Sequence, residues 1–458
     1  MSRVGGGAGR ARASQDPLAG SAAAEVSLPV AIAFGLVACL LYGTGAGLRA
    51  DIGILLQPLA GQCGVSYQAA SLCVAVMQIV FGAAQPLFGL LAMRRSNRFV
   101  LVLGAGVMAA SLVGMALSRS FAALLVSLGV LFGVGAGAVA FGLVLTSAIH
   151  FVGPRRAMTV SGMLNAAAGL VGFALSPALQ ATLQAVGTAG TLLALLLPVG
   201  ALVPIALFVT SRDPAERHDG AQAMDDARGA SGEGRAAEPG EAPARHEARD
   251  AGEGSGDPGL GRLLRVALGN RTFALLVAGF TTCGFHMVII ESHLFNQFVL
   301  DGIDKAAASW AFSVYGIATI LGALLSGWLS SRVPKGRLLT FYYGFRAVWV
   351  ALFVFAMPKT LACAVAFSVG LGLTGDATVS PTSGLVNEQF RIEYVATLVG
   401  TLFLCHQVGA FMSAWLGGIL LDATGGYEVV WSIDVAACAF ACVMSARIPA
   451  GRRALGRP

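Results

Sequence analysis

Charge is scarce in this sequence. Lys, Arg, Asp and Glu make up 12% of its 458 residues, against about 25% in an ordinary soluble domain. The acids are scarcer still outside one place. Ser211–Gly261 holds twelve of the 24 Asp and Glu residues, so the other 407 residues share twelve. That distribution excludes a soluble globular protein. Metal-binding spacing is also missing. The eight cysteines (Cys39, Cys63, Cys73, Cys283, Cys363, Cys405, Cys438, Cys442) form no CxxC and pair with no His at ligand spacing, so no metal site or cofactor is expected. Cys438 and Cys442 share a helix face and read as small packing residues. No G-x-x-x-x-G-K-[ST] occurs, which excludes a P-loop ATPase. No nucleophile–base pair stands out, so no enzyme is expected. The net charge of +6 does not point to nucleic acid, because the basic residues lie between apolar runs.

Long apolar stretches are what the chain has instead. Hydrophobic residues reach 56%, mean hydropathy is +0.75, and there are 60 glycines, a residue commoner in membrane helices than in soluble ones. A membrane-spanning helix needs about 20 mostly apolar residues. Twelve runs qualify: 28–57, 66–92, 99–117, 121–149, 158–182, 190–210, 270–299, 306–329, 337–357, 360–385, 395–421 and 428–447. The expected fold is all-α and polytopic, with the lipid bilayer as its first partner. Residues 211–262 lack aromatics and cannot bury enough apolar surface to offset ordering, so they read as a disordered cytoplasmic linker. This divides the chain into a tail (1–27), a six-helix bundle (28–210), the linker, a second six-helix bundle (263–447) and a short tail (448–458).

Basic residues set the orientation. With the N-terminus inside, the cytoplasmic segments carry 25 of the 30 Lys and Arg. The other face carries Arg49, Arg119, Lys305 and Lys359, and Arg346 is left inside a run. Both termini are therefore expected in the cytoplasm, and the location is a bacterial-type inner (plasma) membrane.

The halves repeat. A shift of 238 places Gly64 on Gly302, Ser71 on Ser309, Gly89 on Gly327 and Arg94 on Arg332, around the second helix of each half. Internal repeats of this kind mark secondary transporter folds. The loop GLLAMRRSNR (89–98) and its copy GWLSSRVPKGR (327–337) resemble the G-x-x-x-D-R-x-G-R signature of the major facilitator superfamily. Met93 and Ser331 stand where that signature has an acid. CGFHMVIIESHL (283–294), ATVSPTSGLV (377–386) and HQVGAFMSAWLGGILLDATGGYEVVW (406–431) resemble a bacterial branch near the monocarboxylate transporters and oxalate:formate antiporters. The resemblance implies two pseudo-symmetric six-helix bundles, a central cavity lined by helices 1, 4, 7 and 10, and a monomer. With no ATP motif, an ion gradient must supply the energy.

An ionisable residue inside a membrane costs several kcal/mol unless paired or wetted, so each is a functional candidate. Arg49 shares a face with Tyr42 in YGTGAGLRADIG (42–53). Its fork suits a carboxylate, and it can instead snorkel to the interface. The 238 shift lands it at Met287, beside His286, so the two could meet across the pseudo-twofold. Glu291 lies about 140° around the helix from His286, so the two cannot share a target. A carboxylate in low dielectric can hold a proton. Glu291 is thus a proton-coupling candidate, or else an inert acid at a wet mouth. Asp376 shares a face with Gly372, Ser380 and Ser383, and reads as a substrate or proton site or an ion-pair partner. The candidate substrate site is Tyr42, Arg49, His286 and Asp376, and the candidate proton site is His286, Glu291 and Asp376. Arg346 is expected in a structural ion pair, His406 in a packing hydrogen bond and Asp434 in a structural role. Arg94, Arg332 and Asn165 (with Gly169, Gly172 and Pro177) are gating candidates. The expected function is secondary transport of a small organic anion, such as a monocarboxylate, with a proton or counter-ion. Efflux of amphiphilic or cationic compounds and a non-transporting sensor are the rivals.

Overall fold

The computed structural model describes residues 28–152, 157–211, 260–390 and 392–449. The tails, most of the linker and Arg391 lie outside them, as do the expectations placed there. Among the described residues every regular element is helical.

Eleven stretches are long and apolar enough to cross a membrane. One of them, Ala166–Val209, has 44 residues. At about 1.5 Å per residue it is roughly 66 Å long, twice the ~30 Å hydrocarbon thickness. It therefore crosses twice. The chain turns at Gly187, whose φ of 69° is open to glycine at no steric cost. The twelve expected spans are thus present, and they are numbered in chain order below.

Span 1 is Leu28–Ala50 followed, past a turn at Asp51, by Ile52–Cys63. Span 2 is Tyr67–Arg94 and span 3 is Asn97–Leu117. Span 4 runs from Phe121 through a π-helical stretch, Leu125–Phe132, to Phe141–Val152. Spans 5 and 6 flank Gly187, the latter ending with Leu196–Val209. A short helix, Leu260–Gly269, leads into the second half. Span 7 is Arg271–Ile289, then π-helical Ile290–Leu294, then Phe295–Leu300. Spans 8 and 9 are Lys305–Ser330 and Lys335–Phe355. Span 10 is Leu361–Thr374, a 3₁₀ turn at Asp376–Thr378, and Val379–Gln389. Spans 11 and 12 are Ile392–Thr424 and Glu428–Ala446.

The repeat in the sequence is also a repeat in backbone geometry. Gly64 and Gly302 both end their helices with positive φ, 64° and 86°. Two residues on, Ser66 and Asp304, again 238 apart, accept hydrogen bonds from the first amides of spans 2 and 8. A side chain in the left-handed region costs about 1–2 kcal/mol. Gly64→Ala and Gly302→Ala are therefore each expected to lower the melting temperature of the detergent-solubilised protein. Gly89→Ala, at a helical position with open space beside it, is expected to leave it unchanged or raise it.

The halves meet along three pairs of spans: 2 with 11, 5 with 8, and 1 with 7. Small residues make the approach possible. A Cβ on Gly169 would strike the Gly316 carbonyl, and one on Gly316 would strike that of Gly169. Gly418 of span 11 lies against Ser71 of span 2. Small residues at helix crossings let backbones approach closely in a bilayer, where lipid supplies no hydrophobic drive between helices.

Candidate substrate and proton site

The glycines of span 1 fix which way Arg49 points. Gly43 and Gly47 pack on Val171 of span 5, within 2.8 Å of where their Cβ atoms would be. Arg49 is left on another face, between spans 2 and 7. There its guanidinium grips Glu291 with both prongs: Nη1 lies 2.7 Å from Oε2, and Nη2 lies 3.0 Å from Oε1. Nη1 also donates to Gln78 Oε1 at 3.1 Å, and the guanidinium carbon sits 5.2 Å from the Phe81 ring centre. The pair is largely enclosed, with side-chain exposures of 19% for Arg49 and 7% for Glu291.

Glu291 is carried by the π-helical stretch of span 7. Such bulges re-aim side chains and recur at functional sites. The 238 shift relates Glu291 to Gly53, and these two positions touch: a Cβ on Gly53 would lie 2.5 Å from the Glu291 carbonyl oxygen. The ion pair therefore sits where spans 1 and 7 cross.

Further polar groups converge around it. Asp376, in the 3₁₀ turn of span 10, is half-buried. Its carboxylate has no hydrogen bond or ion pair among the described residues, and it lies within electrostatic range of His406, Arg49 and Arg346. His406 is half-buried on span 11, against Phe280 at 5.1 Å, and its buried Nδ1 has no partner. Tyr42 packs edge-on to Phe141 of span 4 at 5.6 Å, within reach of the charges of Asp376, Arg49 and Glu291. The Gln78 amide nitrogen is buried without a partner. An orphaned buried donor costs about 1–3 kcal/mol, and a bound anion or water would relieve that cost.

Three sequence expectations are redirected. His286 does not meet Arg49. It is fully buried and turned toward span 12, where Nδ1 lies 2.8 Å from Asp434 Oδ2 and 3.8 Å from Cys438 Sγ. One helical residue is about 100° of rotation, so the position next to Met287 faces elsewhere. Arg346 has no acidic partner among the described residues. It bonds the backbone carbonyls of Thr374 and Gly375 and the Cys283 thiol. His406 has no packing hydrogen bond at Nδ1. Arg94 is exposed, and Arg332, just past the end of span 8, stacks on Trp328 at 4.1 Å; among the described residues neither makes a hydrogen bond or ion pair to the other half. Asn165 belongs to span 5, and its side chain lies outside the described residues.

Gln78, Phe141 and, apart from His293, an interlocking chain of aromatic and polar residues escaped the sequence reading. Asn296 Nδ2 donates to the Tyr427 hydroxyl (2.9 Å), and that hydroxyl donates to Tyr67 (3.0 Å). The Tyr67 hydroxyl lies 3.0 Å from His293 Nδ1, and His293 Nε2 lies 3.0 Å from the Ala414 carbonyl. A carbonyl only accepts, so Nε2 carries the hydrogen and the neutral ring accepts from Tyr67 at Nδ1. Tyr67 is the sole first-half member of this chain. Beside it Asp422 of span 11 accepts from the Gln68 amide at 3.0 Å. Ser176 and Ser313 add two more links among the described residues, bonding the carbonyls of Ser309 and Phe173. All these bridges lie toward the face opposite the described chain ends. Tyr67→Phe keeps the ring and removes the hydroxyl. It is expected to raise labelling of a cysteine reporter at Asn296 from that face about tenfold, the equivalent of one net hydrogen bond.

A protein-family model described as Major Facilitator Superfamily matches residues 33–302 and 297–456. The chain belongs to the major facilitator superfamily. Its members are transporters rather than enzymes, and this chain is a membrane transporter of that superfamily's fold. Mouse monocarboxylate transporter 11 is 26% identical over 405 residues, covering 84% of this chain and 80% of that protein. Rat monocarboxylate transporter 12 is 24% identical over 79% of this chain and 72% of its own length. The uncharacterized MFS-type transporter YcxA of Bacillus subtilis is 26% identical over 180 residues, 36% of this chain. That match spans 41% of YcxA, and matches to rat monocarboxylate transporter 13 and zebrafish 12-B span 29% and 33% of theirs. The crystal structure of a D-xylose-proton symporter superposes with a TM-score of 0.67 at 14% identity, over 93% of this chain and 99% of that one.

Proposed function

We propose that this superfamily member carries a small organic anion, with monocarboxylates as the expected class, by alternating access of its two six-helix halves. Protons or a counter-anion move with it. The observation that carries the reading is the two-pronged Arg49–Glu291 pair at the crossing of the halves. A guanidinium fork matches a carboxylate in shape and charge. Glu291 therefore occupies the place a substrate carboxylate would take. Protonating Glu291 removes the competing charge, frees Arg49 and lets the anion bind. Proton and anion are then required together, with Asp376 and His406 as further groups able to exchange a proton at the site. Likeness to monocarboxylate transporters over most of the chain supports the substrate class.

The Lys and Arg placement supports cytoplasmic termini. On that orientation the Tyr67–His293–Tyr427 chain closes the outer side, and the structure is an outward-closed state. A monomer in a bacterial-type inner membrane accords with this reading.

The test is uptake of radiolabelled small carboxylates into proteoliposomes, with amphiphilic cations as the parallel panel. Saturable carboxylate uptake, accelerated by an inward proton gradient, supports the reading. Transport of the cations alone would replace it with efflux of amphiphiles, for which Asp376 and Glu291 would be the attracting charges.

A further inference from the structure

We propose that Arg346, on the peripheral span 9, is a positioning residue for Asp376. It holds span 10 open at Thr374–Gly375 and so sets the Asp376 carboxylate toward the site. The inference rests on the reading above only in taking Asp376 as a site residue.

Arg346 is fully buried, and no carboxylate among the described residues pairs with it. Nη2 donates to the carbonyls of Thr374 and Gly375, the latter at 2.6 Å, and Nη1 lies 3.3 Å from Cys283 Sγ. In an unbroken helix those carbonyls would accept from the amides of residues 378 and 379. Here the Val379 amide bonds Asp376 instead, and the Gly375 amide bonds Gly372, both at three-residue spacing. The Ala377 carbonyl, whose helical donor would be the N–H that Pro381 lacks, accepts from Ser326 of span 8. The 3₁₀ turn itself closes the Gly375 carbonyl with the Thr378 amide, so Arg346 gives the Thr374 carbonyl the donor that the break withdraws and adds a second bond to Gly375. A released carbonyl in a bilayer costs several kcal/mol unless something satisfies it, and the guanidinium offers five donors in a planar fork.

The break has a rotational consequence. A 3₁₀ turn advances about 120° per residue and an α-helix about 100°. Over the three residues Asp376–Thr378 the difference is roughly 60°. Without Arg346 the Thr374 carbonyl is best satisfied by rewinding span 10 into an α-helix at this point, which turns the segments before and after the break against each other by about that angle and re-aims Asp376 between them. Gly375 is the natural pivot. A Cβ there would lie 3.2 Å from the Tyr315 hydroxyl, which faces the same break. The Arg346 charge also acts on Asp376 and His406, so its loss weakens the field holding Asp376 as well as the geometry.

The experiment is thiol labelling of the full-length detergent-solubilised protein carrying Asp376→Cys, scored as the increment over the native cysteines. A small water-soluble maleimide is the probe. The account expects labelling to slow at least tenfold when Arg346→Met is added, in protein that remains monodisperse. Arg346→Lys, which offers donors but no fork, is expected to fall between the two. An unchanged rate in Arg346→Met overturns the inference and leaves Arg346 as packing. If Arg346→Met is not recovered folded, Arg346→Lys decides: an intermediate rate supports positioning, and a rate equal to that of the unaltered Arg346 background overturns it. No substrate enters the assay, so failure of the anion reading would leave this result standing, and the reverse also holds.

Discussion

Glu291→Gln is expected to abolish proton-driven accumulation of the anion while leaving anion-for-anion exchange in place. Gln keeps the length and one acceptor of Glu, so the crossing of spans 1 and 7 is retained. It cannot release or take up a proton, and it no longer offers Arg49 a competing charge. One pH unit is worth about 1.4 kcal/mol, which under one-to-one coupling accumulates the anion about tenfold. The variant is expected to reach equal concentrations on both sides whatever gradient is imposed. Flux measurements with and without a trapped counter-anion would separate the two activities. Accumulation that survives Glu291→Gln but is lost in Asp376→Asn would move the proton from span 7 to span 10.

The second large effect is expected at Arg49. Removing one partner of an enclosed, hydrogen-bonded charge pair typically costs about 2–5 kcal/mol, much of it from the charge left behind. Arg49→Ala removes the proposed anion ligand and strands Glu291 at once. Its apparent affinity for a carboxylate is expected to fall by about two orders of magnitude or more, judged by the concentration dependence of uptake. The double change Arg49→Ala with Glu291→Ala removes both charges. It is expected to recover the thermal stability lost in the single variant and to recover none of the transport. Recovery of transport in the double variant would show that the pair serves the fold and not the substrate.

Much of the architecture was readable before any coordinates, for physical reasons. Membrane spans advertise themselves through length and hydropathy, because no water satisfies the backbone inside a bilayer. The repeat was readable because Gly64 and Gly302 occupy the same backbone conformation, which few other residues adopt. The break between spans 5 and 6 was less plain, since Ala166–Val209 is apolar throughout and a single glycine makes the turn.

The site was legible as a set of residues and not as a set of contacts. Counting ionisable residues in apolar runs found Arg49, Glu291, Asp376, His406 and Arg346. It could not say which pairs form, because the π-helical turn at Ile290–Leu294 shifts the register of span 7, and no simple 100° wheel includes that shift. Arg346 was expected to find an acid. Its partners are carbonyls, and backbone leaves no mark in a sequence. Gln78 carries no charge and so attracted no notice. Tyr67 and Tyr427 read as ordinary aromatic residues until their hydroxyls were seen to meet.

The most direct test of the central claim is proton movement into proteoliposomes holding a trapped pH-sensitive dye. A panel of small carboxylates is added to the protein and then to Glu291→Gln. The account predicts internal acidification that depends on a carboxylate and on the protein and disappears in the variant. Net carboxylate uptake with no proton movement, into liposomes that hold no counter-anion, would contradict it. The Arg49–Glu291 pair would then be a latch between the halves with no part in coupling.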